Sequence, residues 1–368
     1  MKFIRYTILV ITLFFAQSVW AFNIAVVAPK VGHMSRLGNE LIEGAQIAVD
    51  MINENGGLLG EKLNLIAIDD RCEDAFSIST AQMIALNSSK DDRIDLVVGP
   101  YCDNKFDEVS QIYEQNKIMR IIPMPLNEKQ NITSFKGLMK IGGLMSNQAK
   151  VFVEYYQKKS IGKNVAFVYD SSIPKTTETA FVTQMLFNKN GLYGLKLFDI
   201  SSYDEKYNDL VDEIVADNQI VYVLGNPEAT ARIVQKIQEE NSLLEIFVDA
   251  YMATGHIYRE LGSFIEGVYF LSYKNIKDEP SFTEKLVELR IKGREPKGLG
   301  VYGYASVNLW VQMVKDAKSD NFNQLDKFKN EREYEMPWGM TRFENGSAVN
   351  VGDYSVYQIK NGEYTQAD

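Results

Sequence analysis

The sequence predicts an α/β protein of two Rossmann-like lobes, each a mostly parallel sheet with helices on both faces. Three observations lead there. Short, continuously apolar runs alternate with stretches of helical periodicity, the pattern of parallel strands covered on both faces. The alternation restarts after "LMKIGGLMSN" (138–147), so one kind of lobe follows another without a repeat of sequence. The chain has 368 residues, more than one hydrophobic core usually serves.

The elements follow in order. "FNIAVVAP" (22–29) is the first strand. A helix follows, with Leu41, Ala45, Ala48 and Ile52 on one face and Asn55-Gly56-Gly57 at its end. "KLNLIAIDD" (62–70), "IDLVVGP" (94–100) and "IMRIIPM" (118–124) are strands, separated by the helices "DAFSISTAQMIALNSS" and "DEVSQIYEQN". In the second half, strands are expected at 164–170, 195–200, 219–225, 245–250 and 267–273, with a helix over 227–242 among the segments between them. Beyond residue 274 come further helices, notably around 304–317. The chain ends in two β-like pieces, "PWGMTRF" and "YSVYQIK", joined by the turn "ENGS". Ligands of such sheets sit beyond the carboxyl ends of the strands, and two facing lobes place one in the cleft between them.

The first residues bear on compartment. Lys2 and Arg5 precede the apolar "YTILVITLFFA" (6–16), and "QSVWA" ends in Ala21 with Val19 two places before it. This predicts a signal peptide over 1–21 and an exported, periplasmic chain starting near Phe22. The alternative is an uncleaved N-terminal anchor, although the apolar run is shorter than the roughly 20 residues of a membrane span. No cysteine stands there to take a lipid. Without the leader the net charge moves from −10 to −12, because it holds two basic residues and no acidic one. Such a chain, with no basic block, repels nucleic acid and anionic membrane surfaces. Two cysteines, Cys72 and Cys102, in an exported chain suggest one disulfide rather than a metal site.

The search for catalytic groups is negative. His33 and His256 are each alone, outside any metal-ligand spacing. No G-x-S-x-G elbow occurs, and the glycine clusters at 56–60 and 298–303 lack the dinucleotide and Walker patterns. Asp69-Asp70 ends a strand, where Asp also serves as a turn or cap residue. The basic stretches 158–163 and 327–333 are solvated faces. The expectation is a binding protein with no enzyme activity, cofactor or metal.

Three stretches carry a resemblance. "GAQIAVDMINENGGLLGEKLNLIAIDDRCED", "LVVGPYC" and "PWGMTRFENGSAVN…YSVYQIKNGE" resemble the type I periplasmic binding proteins, in their leucine/isoleucine/valine-binding branch. The resemblance implies two lobes, 22–143 with 274–336 and 144–273 with 337–368. They are joined by hinge crossings near 140–146, 271–277 and 335–339. It implies a cleft that closes on a small solute, delivery of that solute to the membrane permease of an ABC importer, and a monomer. It also implies a Cys72–Cys102 disulfide. Each cysteine follows a parallel strand, and strands taken as neighbours bring their loops within the roughly 4.4–6.8 Å between Cα atoms that a disulfide needs.

The same resemblance proposes a site. Asp103, with Asn104 beside it, stands where the family carries a carboxylate-binding serine, and Leu126, next to Asn127, where it carries a threonine. Asp249 and Tyr251 stand where an acid or aromatic meets an ammonium. Asn226 follows the strand "VYVLG", and Ser35 and Arg36 lie in the first loop. Tyr302 completes the set, as either a packing or a contact aromatic; Trp310 and Trp338 are placed in the core or at a lobe boundary. With two hydroxyls absent and a carboxylate at 103, repulsion of order 1–4 kcal/mol at 4 Å weighs against an amino-acid carboxylate there. Arg36 offers a bidentate remedy. Otherwise the ligand is an amide, a cation or a larger polar solute, with Asp103 and Asp249 as acceptors. Asp103 is equally well placed to cap the following helix. The alternative function is an envelope sensor or regulatory partner with the same fold.

Overall fold

β1 (Ala21–Val27) lies one strand in from an edge of the first sheet, its side chains alternating between two cores: Ile24 and Val26 point to one face, Ala25 and Val27 to the other. The computed structural model describes residues 21–32, 34–87, 93–102, 105–126, 130–144, 146–241, 243–249, 261–273, 279–349 and 354–367. After β1 come α1 (Ser35–Glu54), β2 (Lys62–Ile68), α2 (Asp74–Leu86), β3 (Ile94–Val98), α3 (Phe106–Gln115), β4 (Met119–Ile122) and β5 (Leu138–Lys140). The next unit runs α4 (Ser146–Lys159), β6 (Val165–Tyr169), α5 (Pro174–Lys189), β7 (Leu195–Asp199), α6 (Asn208–Asp217), β8 (Ile220–Val223), α7 (Pro227–Glu240), β9 (Glu245–Asp249) and β10 (Tyr269–Tyr273). Then follow α8 (Thr283–Ile291), α9 (Gly300–Ala317), α10 (Phe322–Phe328), β11 (Glu333–Met336), β12 (Gly339–Glu344), β13 (Ser347–Ala348), β14 (Tyr354–Lys360) and β15 (Glu363–Gln366).

Two sheets result, with strand orders β11-β12-β13-β5-β4-β3-β1-β2 and β15-β14-β10-β9-β8-β6-β7. β1 to β5 are parallel, as are β6 to β10. In the second sheet Val165 and Phe167 pack into one apolar cluster and Ala166 and Val168 into the other, so helices cover both faces. This is the two-lobe α/β architecture read from the sequence.

The chain passes between the sheets after β5, after β10 and after β13. Here the expected boundaries shift. Residues 335–339, read as the third crossing, span the turn from β11 into β12, and both strands extend the first sheet. The "ENGS" turn, expected to join two final strands, folds β12 back onto β13, and β13 pairs with β5. Only β14 and β15 join the second sheet, so the third passage lies between Ala348 and Tyr354.

The first lobe is tightened by α1 against α9. A Cβ on Gly44 would stand 1.7 Å from the carbonyl oxygen of Gly300, so these helices touch backbone to backbone and only glycine fits. The face read from the sequence, Leu41, Ala45, Ala48 and Ile52, is buried here. Trp310 lies wholly inside, edge-on to Phe22 at 5.7 Å. Among the described residues no helix is long and apolar enough to cross a membrane.

Candidate functional site

The carboxyl ends of the parallel strands gather the groups of interest on each sheet. On the first, the loops after β1, β2 and β3 lie together. Asp69 Oδ1 accepts the backbone N–H groups of Lys30 (3.1 Å) and Arg71 (2.9 Å), and Asp70 Oδ1 accepts that of Cys72 (3.2 Å). The Asp pair thus shapes its own loop, as Asp does in turns. Cys72 and Cys102 form a disulfide with Cα atoms 5.1 Å apart. The pairing was expected between neighbouring strands, but β2 and β3 do not touch: β1 lies between them, and the bridge spans its end. Behind it, the buried Arg120 donates from Nε to the carbonyl of Gly99 (2.8 Å) and from a terminal nitrogen to Ser110 Oγ (2.7 Å), with the Phe106 and Tyr113 rings about its guanidinium.

The second sheet ends in carboxylates. Asp170, after β6, accepts from the N–H (3.0 Å) and hydroxyl of Ser172. Asp199, closing β7, accepts the N–H groups of Ser171 and Ser201, each at 3.1 Å. Burial works against its charge, but the Ser171 and Ser201 hydrogen bonds outweigh burial and hold its pKa below the usual value. Asp249 closes β9, nearly buried, with Lys175 Nζ 3.3 Å from its Oδ2. Behind it Tyr222 accepts a hydrogen bond from Gln148 Nε2 at 2.6 Å. Full burial first, and the Asp249 charge second, push the Tyr222 hydroxyl well above its ordinary pKa.

The expected site residues divide. Ser35 and Arg36 begin α1 at the carboxyl edge of the first sheet. The Arg36 guanidinium is engaged by Glu40, with Nε to Oε1 at 3.0 Å, while Glu40 Oε2 accepts the N–H of Leu299. Asn226 and Asp249 stand together on the second sheet, at the ends of adjacent strands β8 and β9. Asn226 caps α7 by accepting the N–H of Ala229 (2.9 Å). Leu126 is not exposed at a loop: its side chain is buried with Phe106, Ile122, Ile132 and Leu138, because an apolar residue beside that core gains more inside than at a polar edge. Tyr302 is buried in α9, its ring 5.5 Å from that of Trp338, which is half-buried against it. Both are packing residues of the first lobe. Asp103, Asn104, Asn127, Tyr251, His33 and His256 lie outside the described residues.

Sequence reasoning missed Lys175, Gln148 and Tyr222. Lys175 had one visible signal: it follows Pro174 directly, at a helix start just past a strand, where a side chain meets the carboxyl edge. A separate groove of about 830 Å³ runs along the open edge of β2, lined by Glu43, Gln46, Asp50, Leu65, Arg294 and Lys297. It lies on the flank of the first sheet and includes none of the expected site residues. Among the described residues no group of three or more His, Cys, Asp or Glu is arranged to hold a metal ion.

Comparison with known proteins bears on this arrangement. A family model described as "Periplasmic binding protein" matches residues 21–363. A Pseudomonas aeruginosa protein named "Amino acid binding protein" is 24% identical over 348 residues, covering 93% of this chain and 91% of the relative. The Leu/Ile/Val-binding protein of Escherichia coli K12 is 24% identical over 282 residues, 76% of this chain and 75% of its own length. The crystal structure of a leucine-binding protein from Thermotoga maritima superposes with a TM-score of 0.78 at 20% identity, covering 94% of this chain and 98% of that one.

Proposed function

We propose, since the chain belongs to the periplasmic binding protein family, that it captures a small polar solute in a cleft between its two sheets and hands it to an ABC-type importer. The family, its leucine/isoleucine/valine-binding branch and its solute-binding role are the premise; the ligand, the importer and the site are our reading. The solute class is an amino acid, an amide or a related compound, in keeping with the names of the P. aeruginosa and E. coli relatives. The protein acts as a monomeric binder in the periplasm after loss of residues 1–21, without enzyme activity.

One observation carries this reading. Two parallel sheets, joined by three passages of chain, each end in loops bearing polar groups on the side where such sheets bind ligands. Ser35 on the first edge and Asn226 and Asp249 on the second are the groups we assign to solute contact. Closure about the passages brings both edges onto one ligand. Leu126 and Tyr302 drop out of the assignment, and Arg36 contributes only if a ligand takes it from Glu40.

A thermal-shift screen of amino acids, amides, polyamines and small aromatic acids tests the proposal, because a ligand bound only by the native state raises the melting temperature with concentration. The expected outcome is a saturable rise for at least one compound, weakened in Asp249→Ala. The buried Leu126 in place of a hydroxyl favours the second reading, an envelope sensor or regulatory partner with a degenerate site; no shift across the panel would support it.

A further inference from the structure

β2 is the outer strand of the first sheet, and its free edge faces the groove of about 830 Å³. In a strand the backbone groups of alternate residues point the same way. The Ile68 carbonyl accepts the N–H of Ala28, just past β1, so the even-numbered residues of β2 bond toward β1. Leu63, Leu65 and Ala67 therefore turn their N–H and C=O groups outward. At Leu63 the Asn53 side chain takes the place of a neighbouring strand: it accepts the Leu63 N–H and donates to the Leu63 carbonyl, both at 2.8 Å. Nothing among the described residues does this for Leu65 or Ala67. These two are the β2 residues that line the groove. Exposed edges are usually blunted by charge, proline or a bulge. Leu65-Ile66-Ala67-Ile68 is a half-buried aliphatic run with none of these.

We infer that this edge is a docking site for an extended peptide segment of a partner protein, which adds to the sheet as a strand beside β2. The outward N–H and C=O groups of Leu65 and Ala67 match the two-residue spacing of such a segment's own backbone groups. Leu65 and Ala67 lie on the α1 face of the sheet, and Ile66 and Ile68 on the other. Side chains of the segment on the α1 face enter the groove and meet charges of both signs. α1 contributes Glu43 and Asp50, and the stretch between α8 and α9 contributes Arg294 and Lys297. Asp50 accepts from Gln46, and Arg294 is held by Glu54. Glu43 and Lys297 have no side-chain partner among the described residues, so the occupant supplies one for each. The segment therefore carries a basic and an acidic side chain two residues apart, with aliphatic residues alternating against Ile66 and Ile68. The site shares no residue with the one assigned to solute capture.

The test measures binding by calorimetry. Its probes are the end-capped peptides Val-Lys-Val-Glu-Val and Val-Glu-Val-Lys-Val, one for each strand direction, with Val-Ser-Val-Ser-Val as uncharged control. One charged peptide should bind about tenfold or more tighter than the control. N-methylation of alternate residues separates strand pairing from other contact: one alternate set should abolish binding and the other leave it. Hydrogen exchange at the Leu65 and Ala67 amides should slow on binding. Ala67→Pro removes an outward N–H and keeps the ladder to β1, since proline is tolerated where the N–H faces out. It should abolish peptide binding and keep the thermal shift given by a solute. Glu43→Gln with Lys297→Met leaves the backbone untouched, so it serves even if Ala67→Pro fails to fold. It should bring the charged peptides down to the level of the control. Equal effects of the two methylation patterns, a control that binds as well as the charged peptides, unchanged binding in the folded variants, or no binding of either charged peptide overturns the inference. So does a wild-type chain that forms dimers in ultracentrifugation and loses them in Ala67→Pro, because the occupant is then a second copy.

Discussion

The two sheets grow from the same strand–helix alternation, yet their carboxyl edges are finished in opposite ways. On the first, Cys72 and Cys102 are joined covalently over the end of β1, and the buried Arg120 fixes the Gly99 carbonyl beneath them. On the second, β7 and β9 end in Asp199 and Asp249, with Asp170 just past β6. Serine hydrogen bonds and the Lys175 ion pair hold these carboxylates. Both edges carry aspartates, but those of the first, Asp69 and Asp70, hold their own loop beside a covalent bridge, while those of the second are held by serines and a lysine. On the proposed reading, a solute held between them would meet a covalently braced surface on one side and a carboxylate-bearing surface on the other.

Four changes break or sharpen that contrast. The largest effect is expected from Arg120→Met, which leaves the Gly99 carbonyl and Ser110 hydroxyl without their charged donor. It should cost roughly 3–5 kcal/mol of stability, read from urea unfolding. Next, Cys72→Ser with Cys102→Ser opens a loop closed across 30 residues of sequence. On the chain-entropy model this costs about 3–4 kcal/mol, and calorimetry should show the lower melting temperature.

The third change lies at the amino end of β3, away from both carboxyl edges. Burial first, against the Asn23 N–H and the Arg93 guanidinium, pushes the Asp95 carboxyl up to about 6. The folded chain therefore keeps a proton that the unfolded chain releases near pH 4. Stability from this group is full below the unfolded pKa, falls as pH rises through about 6, and is flat above. The loss amounts to at most about 3 kcal/mol. Asp95→Asn should flatten the melting temperature between pH 4 and 7 and leave solute affinity untouched, which separates stability from recognition. The smallest effect is expected from Tyr222→Phe, which removes the oxygen that Gln148 donates to behind Asp249. It should cost about 1–2 kcal/mol in chemical denaturation.

The physics of what was legible follows the same division. Apolar runs and helical periodicity act locally, so β1 to β4, β6 to β10, the α1 face and the helix α9 are legible along the chain, while the three-residue β5 is too short to stand out. Sheet membership of short antiparallel strands is not local. Nothing in "PWGMTRF" says that it pairs with the first sheet, and the third passage was therefore placed too early. The order β3-β1-β2 was hidden for the same reason, although the cysteines that bridge it were plain. For the site, matching positions found Asn226 and Asp249 on adjacent strand ends but could not see where side chains turn. Leu126 went inward because it is apolar. Arg36 is engaged by Glu40 and Asp249 by Lys175, contacts made across the fold's geometry that matching positions do not reveal.

Small-angle scattering of the wild-type chain and Asp249→Ala, titrated with a compound that shifts the wild-type melting temperature, tests the central claim most directly. If one solute draws the two edges together, the wild-type radius of gyration falls saturably at the concentrations that give the thermal shift, and the variant needs more ligand for the same fall. Binding with an unchanged radius of gyration, and equal affinity in the variant, would contradict it.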